Sequence, residues 1–118
     1  MKNALGGYIR EKREALLQTD RSYSLRQVAA HIKVEPSYLS KIERSETSAY
    51  LTEEKIRLLA EYLNEDPDVL LALSGKISQD VQGIIRKRPQ LFAQLIRDLK
   101  RMPDHGILKI VREVRDGI

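Results

Sequence analysis

Residues 24–45, Ser-Leu-Arg-Gln-Val-Ala-Ala-His-Ile-Lys-Val-Glu-Pro-Ser-Tyr-Leu-Ser-Lys-Ile-Glu-Arg-Ser, constrain the fold of this chain more than any other stretch. They spell two short amphipathic helices joined by a tight turn. Ser24 stands as an N-cap with Gln27 three residues on, a capping box, and Tyr23 and Val28 occupy the positions of a hydrophobic staple. Val28, Ala29 and Ile32 form the buried face of the first helix, and the turn falls at Lys33 and Val34. Pro36 opens the second helix at its first position, where a missing N–H costs nothing. Leu39 and Ile42 then face inward, and Ser37, Tyr38, Lys41 and Arg44 point elsewhere.

The rest of the chain has helical periodicity throughout, with no stretch alternating over a convincing strand length. A first helix is expected over Ala4 to Leu17, with Leu5, Ile9 and Leu16 inward and Arg10, Lys12 and Arg13 outward; the polar run Gln18 to Ser22 breaks it. After a polar loop from Ser45 to Tyr50, Thr52 caps a fourth helix, with Glu53 and Glu54 against its positive end. Leu51 and Ile56 make a second staple, and Ile56, Leu59, Ala60 and Leu63 an inner stripe. Asp66-Pro67 opens a fifth helix through Val69, Leu70, Leu71 and Leu73, which Gly75 ends. Five short helices suffice for one small core.

Residues 76–118 predict three further helical segments: one capped by Ser78 and running through Arg88, one opened by Pro89, one opened by Pro103-Asp104. Their stripes (Leu91, Phe92, Leu95, Ile96, Leu99; Ile107, Leu108, Ile110, Val111, Val114) are too apolar to lie solvated. They must pack on the first domain, on each other, or on a second chain. Division into residues 1–75 and a helical extension, 76–118, follows.

The chain holds 118 residues, 42% hydrophobic and 32% charged, which fits a folded chain rather than a disordered one. Five Tyr and one Phe are the only aromatics, leaving the core to aliphatic residues that suit helices. With no cysteine, disulfides and thiolate-bound metals are out of reach, which fits a reducing cytoplasm. No long apolar run suggests a signal peptide or membrane span. Net charge is unevenly spread: +4 over residues 1–44, −5 over 45–75 and +5 over 76–118. The basic ends suit a polyanion.

The spacing of Val28, Ala29, Ile32, Val34, Leu39 and Ile42 is that of a helix-turn-helix, in which the small Ala29 lets the second helix cross closely. Such a pair exposes one side of its second helix to a DNA major groove about 12 Å wide. The run Val-Glu-Pro-Ser-Tyr-Leu-Ser-Lys-Ile-Glu-Arg resembles the XRE family, the Cro and C1 repressor type of helix-turn-helix, and the resemblance extends over roughly Leu5 to Leu73. It implies an all-α, five-helix, lambda repressor-like DNA-binding domain, here with a helical C-terminal extension. It also implies a cytoplasmic transcriptional regulator, a repressor acting as a homodimer on a near-palindromic operator.

Carried over by position, the resemblance places the recognition helix at about residues 36–44. Pro36, Ser37 and Lys41 match positions that face base edges, Tyr38 lies at their margin, and Ser40 is a weaker candidate. Arg44 matches a phosphate contact, and Ser24, Leu25 and Arg26 sit where the preceding helix meets the backbone. Two positions depart from the family pattern. Leu25 replaces a glutamine that commonly bonds phosphate, so Arg26 or Gln27 must compensate; Lys33 replaces the usual turn glycine, at roughly 1 kcal/mol if φ is positive there.

Glu43 is expected to act internally, holding the helix end or an arginine, since an exposed carboxylate repels phosphate. Arg86-Lys87-Arg88 reads first as a solvated basic run, with a phosphate clamp or an acidic partner as the alternative. His31 and His105 have no companions for metal or catalysis, and Asp20, Asp66 and Asp104 look like caps. No nucleophile–base set, metal cluster or phosphate-binding glycine loop suggests an enzyme, and no cofactor is expected. The other function class is an antitoxin-like interaction module, whose extension binds a partner protein while DNA binding serves autoregulation.

Overall fold

A computed structural model describes residues 4–46 and 49–117. Among these are eight α-helices and no strand: α1 (Leu5–Leu17), α2 (Leu25–His31), α3 (Pro36–Glu43), α4 (Glu53–Leu63), α5 (Pro67–Leu73), α6 (Gln79–Lys87), α7 (Pro89–Leu99) and α8 (Asp104–Arg115), with a 3-10 turn at Arg21–Tyr23. The chain is all-α, and it divides into two compact units, residues 1–78 and 79–118.

In the first unit the aliphatic stripes of α1 to α5 close one core. Ile9, Val28, Ile32, Leu39, Ile56, Leu59, Leu70 and Leu71 are buried almost completely. The start signals act as local hydrogen bonds. Ser24 Oγ accepts from the Gln27 N–H, Thr52 Oγ1 from Lys55, and an Asp66 carboxylate oxygen from Asp68. The capping box of α2 is not reciprocal, because the Ser24 N–H already bonds the Arg21 carbonyl within the 3-10 turn.

Four helices end in the same way. The amide just past a left-handed residue at the helix end returns to a carbonyl five residues back: Val34 to Ala29 (3.0 Å), Glu46 to Lys41 (3.1 Å), Glu65 to Ala60 (2.8 Å) and Lys76 to Leu71 (2.8 Å). This closure needs the intervening residue in the left-handed region. Only one of the four is glycine, Gly75 at φ 81°; Lys33, Ser45 and Asn64 take φ of 63°, 58° and 58°. Lysine at the α2–α3 turn therefore adopts the conformation for which glycine is the usual choice.

One glycine is required by close approach. Gly6 of α1 lies against the C-terminal end of α3, where an added Cβ would overlap the Ile42 carbonyl oxygen and stand 2.8 Å from Ser45 Oγ. This contact sets how near α1 comes to the end of α3.

Two side chains depart from the sequence expectation, and both touch α3. Arg13, expected outward on α1, is buried and forms a bidentate pair with Glu43, Nε to Oε2 at 2.7 Å and Nη2 to Oε1 at 3.0 Å. Its Nη1 also donates to the Tyr23 carbonyl at 3.2 Å. Helical periodicity gives Arg13 the azimuth of the core-facing Leu5 and Ile9, and a charge is tolerated there because Glu43 is buried opposite it. Glu43 thus has the internal role expected of it. Tyr38, expected outward on α3, is half-buried against the core.

In the second unit α6, α7 and α8 are each amphipathic, yet none of their described residues is buried. No described helix is long and apolar enough to cross a membrane.

Candidate nucleic-acid interface

The geometry of α3 follows from what is fixed beneath it. Leu39, Ile42 and Glu43 lie on one side of the helix, held by the core and by Arg13. Ser37, Lys41 and Arg44, spaced four and three residues apart, therefore share the opposite side, and all three are exposed. Pro36 and Ser40 are half-exposed beside them. The Lys41 ammonium makes no ion pair among the described residues, so its charge is available to an incoming anion. Arg44 pairs with Glu46 at 3.0 Å, but both side chains are about half-exposed. Such a pair contributes little and exchanges readily for a phosphate.

Tyr38 is committed elsewhere. Its hydroxyl donates to the Tyr50 carbonyl at 2.6 Å and accepts from the Tyr50 N–H at 3.1 Å. Two bonds from one hydroxyl pin the chain just before α4 to the middle of α3. The Tyr50 ring is 65% exposed, with the Lys76 ammonium 5.4 Å from its centroid. Nothing in the sequence marks Tyr50, because its role comes from a backbone that meets Tyr38 twelve residues away.

The turn into α3 is tied from α4. Lys55 Nζ donates to the Lys33 carbonyl at 2.9 Å, placing a cation at the C-terminal end of α2, where the helix dipole favours it. On α2, Arg26 and Gln27 are exposed at the first turn, next to Ser24. Ser24 Oγ uses an acceptor site for its cap, which leaves its hydroxyl proton to donate outward. Leu25 is half-buried against the core, so it serves packing where the family pattern has a phosphate ligand. The segment before α2 is held by the Tyr62 hydroxyl on the Ser22 carbonyl at 2.7 Å, and His31 stacks on the Tyr62 ring at 4.1 Å. That contact gives His31 a structural place at the end of α2.

Two titrating groups mark how the unit is tied. The Asp20 carboxyl is held below its usual range by the Ser22 hydroxyl and then by the Ser22 N–H, both bonded to Oδ1. The Tyr8 hydroxyl donates to Glu65, and that bond, with some desolvation and the Glu65 and Glu11 charges, raises it above the usual phenol value. Among the described residues no group of three or more His, Asp and Glu is placed to hold a metal ion.

A short helix, a tight left-handed turn and a second helix with one locked and one open side define a helix-turn-helix protein, a DNA-binding class. The chain matches the helix-turn-helix domain family over residues 4–73, more than half its length, and it belongs to that family. The match is consistent with the XRE-type resemblance. No curated protein and no solved structure matches the chain.

Proposed function

We propose that the chain is a sequence-specific regulator of transcription, a repressor that binds double-stranded operator DNA as a homodimer with α3 in the major groove. The observation that carries this reading is the open side of α3, where Ser37 and Lys41 are exposed while Leu39, Ile42 and Glu43 fix the helix from behind. Ser37, Lys41, Pro36 and Ser40 read bases. Arg44, Arg26, Gln27 and Ser24 hold phosphates and fix the register, a contact class that carries no sequence information itself. Tyr38 contributes through the edge of its ring and through Tyr50. The reading assigns the chain no catalytic step and no cofactor.

In-vitro selection of bound duplexes tests this directly. Two half-sites about one helical turn apart should emerge, with affinity falling steeply as salt rises. A selected pool with no common sequence would refute sequence-specific reading.

A second reading is favoured by the apolar helices α6 to α8: an antitoxin-like module whose extension captures a partner protein, with DNA binding as autoregulation. Deleting residues 79–118 separates the two. Loss of operator affinity together with loss of dimerisation supports the first reading, and a truncated chain that stays dimeric but fails to capture a protein that co-purifies with the full chain supports the second.

A further inference from the structure

Residues 79–118 hold nine basic and five acidic side chains, a net +4, whereas residues 1–78 hold twelve of each and are neutral. The whole positive charge of the chain therefore sits on its second unit, outside the helix-turn-helix. A duplex carries one negative charge per about 1.7 Å of its axis, so cations supply most of the sequence-independent affinity of a DNA-binding chain.

On α7 the side chains are sorted by side. Leu91, Phe92, Leu95 and Leu99 line apolar grooves towards α6 and α8. Gln90, Gln94 and Arg97 repeat at four and three residues on the opposite side. Arg101 follows four residues on, in the turn that its N–H closes on the Asp98 carbonyl at 3.2 Å. All four are exposed. The stripe runs about 16 Å, the length of roughly five base-pair steps of about 3.4 Å. Its donors are largely uncommitted. Ion pairs among the described residues engage Arg10, Arg13, Arg44, Arg57 and Arg115, and none reaches Arg97 or Arg101. Arg97 places Nε on the Ala93 carbonyl at 3.3 Å, which leaves both Nη groups to a ligand. Two amides and two guanidinium forks, with no carboxylate on the stripe, form a donor set suited to phosphate oxygens.

We propose that this side of α7 is a second DNA contact, which holds the sugar–phosphate backbone outside the bases that α3 reads. The site rests on the DNA-binding reading and adds to it. Two residues separate Lys76, whose ammonium donates to the Leu51 carbonyl at 3.0 Å, from the start of α6 at Gln79. With so short a tether, docking of α3 makes the contact by α7 an intramolecular step. A lipid surface fits less well. A helix lying on a bilayer buries its apolar side, which would leave Arg97 and Arg101 facing water.

Fluorescence anisotropy of the full chain on duplexes of selected and of unrelated sequence, between about 0.1 and 0.5 M salt, tests the site. Arg97→Gln with Arg101→Gln should lower the slope of log K against log salt by about 2 per protomer bound, and affinity at about 0.1 M salt by about 60-fold. Both duplexes should lose alike, because phosphates carry no sequence. Lys109→Gln with Arg112→Gln removes the same charge from α8 and should leave the slope within about 0.5 of wild type. Arg97→Lys with Arg101→Lys keeps both charges and should keep the slope; a slope as low as that of the glutamine pair would trace the loss to the fold of α7 and overturn the contact. An unchanged slope in the glutamine pair, or an equal fall in the α8 variant, would also overturn it. A lowered Tm as the sole effect would make both arginines partners of the α7 dipole instead. Binding to phosphatidylglycerol vesicles that the glutamine pair loses, with duplex binding unchanged, would assign the stripe to a membrane and overturn the DNA contact. Each of these leaves the α3 reading standing, since Lys41→Ala tests that separately. A wild-type chain that binds no duplex refutes both.

Discussion

Removing the Glu43 carboxylate should unfold a large part of the first unit's stability, although the residue is expected to touch neither DNA nor partner. In Glu43→Ala the Arg13 guanidinium keeps its bond to the Tyr23 carbonyl and a 4.0 Å contact with the half-exposed Glu14 carboxylate, in a site where the Arg13 and Glu43 side chains are 9% and 6% exposed. An exposed pair would be worth about 0.2–1 kcal/mol. A buried pair broken on one side costs about 3–5 kcal/mol, because the surviving charge stays desolvated. Against a total of about 5–15 kcal/mol, that is a major fraction. For a unit of this size about 4 kcal/mol lowers Tm by on the order of 20 °C. Urea melts followed by far-UV circular dichroism measure the loss. The companion Arg13→Met with Glu43→Leu removes both charges together and should return to within about 1 kcal/mol of wild type. Because Glu43 lies on the locked side of α3, DNA binding should fall with Glu43→Ala and recover in the paired variant. A loss below about 1 kcal/mol for Glu43→Ala, or no coupling in the Arg13/Glu43 double-mutant cycle, would refute the assignment of a buried, mutually dependent pair.

Four further outcomes follow from the same geometry. Lys33→Gly relieves a left-handed lysine while keeping the carbonyl that Lys55 holds, so stability should rise by up to about 1 kcal/mol in thermal melts; a decrease would mean that the lysine side chain contributes more than its backbone strain. Tyr38→Phe deletes only the hydroxyl that bonds Tyr50, and should weaken binding to all duplexes alike with the selected sequence unchanged; an altered sequence preference would place the hydroxyl on a base instead. Lys41→Ala should relax discrimination at one or two base pairs by about 1–3 kcal/mol, whereas Arg44→Ala should weaken all sites and flatten the salt slope; equal behaviour of the two would show that the register on α3 is wrong. Asp20 is held low in pKa, so its contribution is complete above the ordinary carboxylate range near pH 4 and lost as pH falls through the lowered value. The wild-type advantage over Asp20→Asn should therefore be present at pH 6 and shrink towards pH 2; an advantage independent of pH would exclude the carboxylate as its source.

The local grammar of the fold was legible because its signals act over a few residues. Ser24, Thr52 and Asp66 cap through bonds to amides two or three residues away, and Pro36 and Pro67 fix helix starts by their own geometry. The inward stripes of α2 to α4 follow from a period of 3.6, and the open side of α3 follows as their complement. Lys33 was recognisable as a left-handed position because the family resemblance sets glycine there. Arg13 was misplaced because periodicity assigns a side chain its azimuth while residue type assigns it to solvent; here the two disagree, and only a carboxylate thirty residues on, at Glu43, resolves them.

The amino-acid sequence alone determined that this is an all-helical chain built around a helix-turn-helix and, Tyr38 apart, which side chains of α3 are left outside its core. Those are properties of periodicity and of caps that close over three or four residues. Tertiary structure decided what holds that helix in place: the Arg13–Glu43 pair, the Tyr38 hydroxyl on the Tyr50 backbone, the Lys55 ammonium on the Lys33 carbonyl and the missing Cβ of Gly6. Each joins residues 12 to 39 positions apart, a separation at which no local pattern records the partner. It also showed that the stripes of α6 to α8 stay uncovered within their own unit, because three short helices enclose too little volume to bury them.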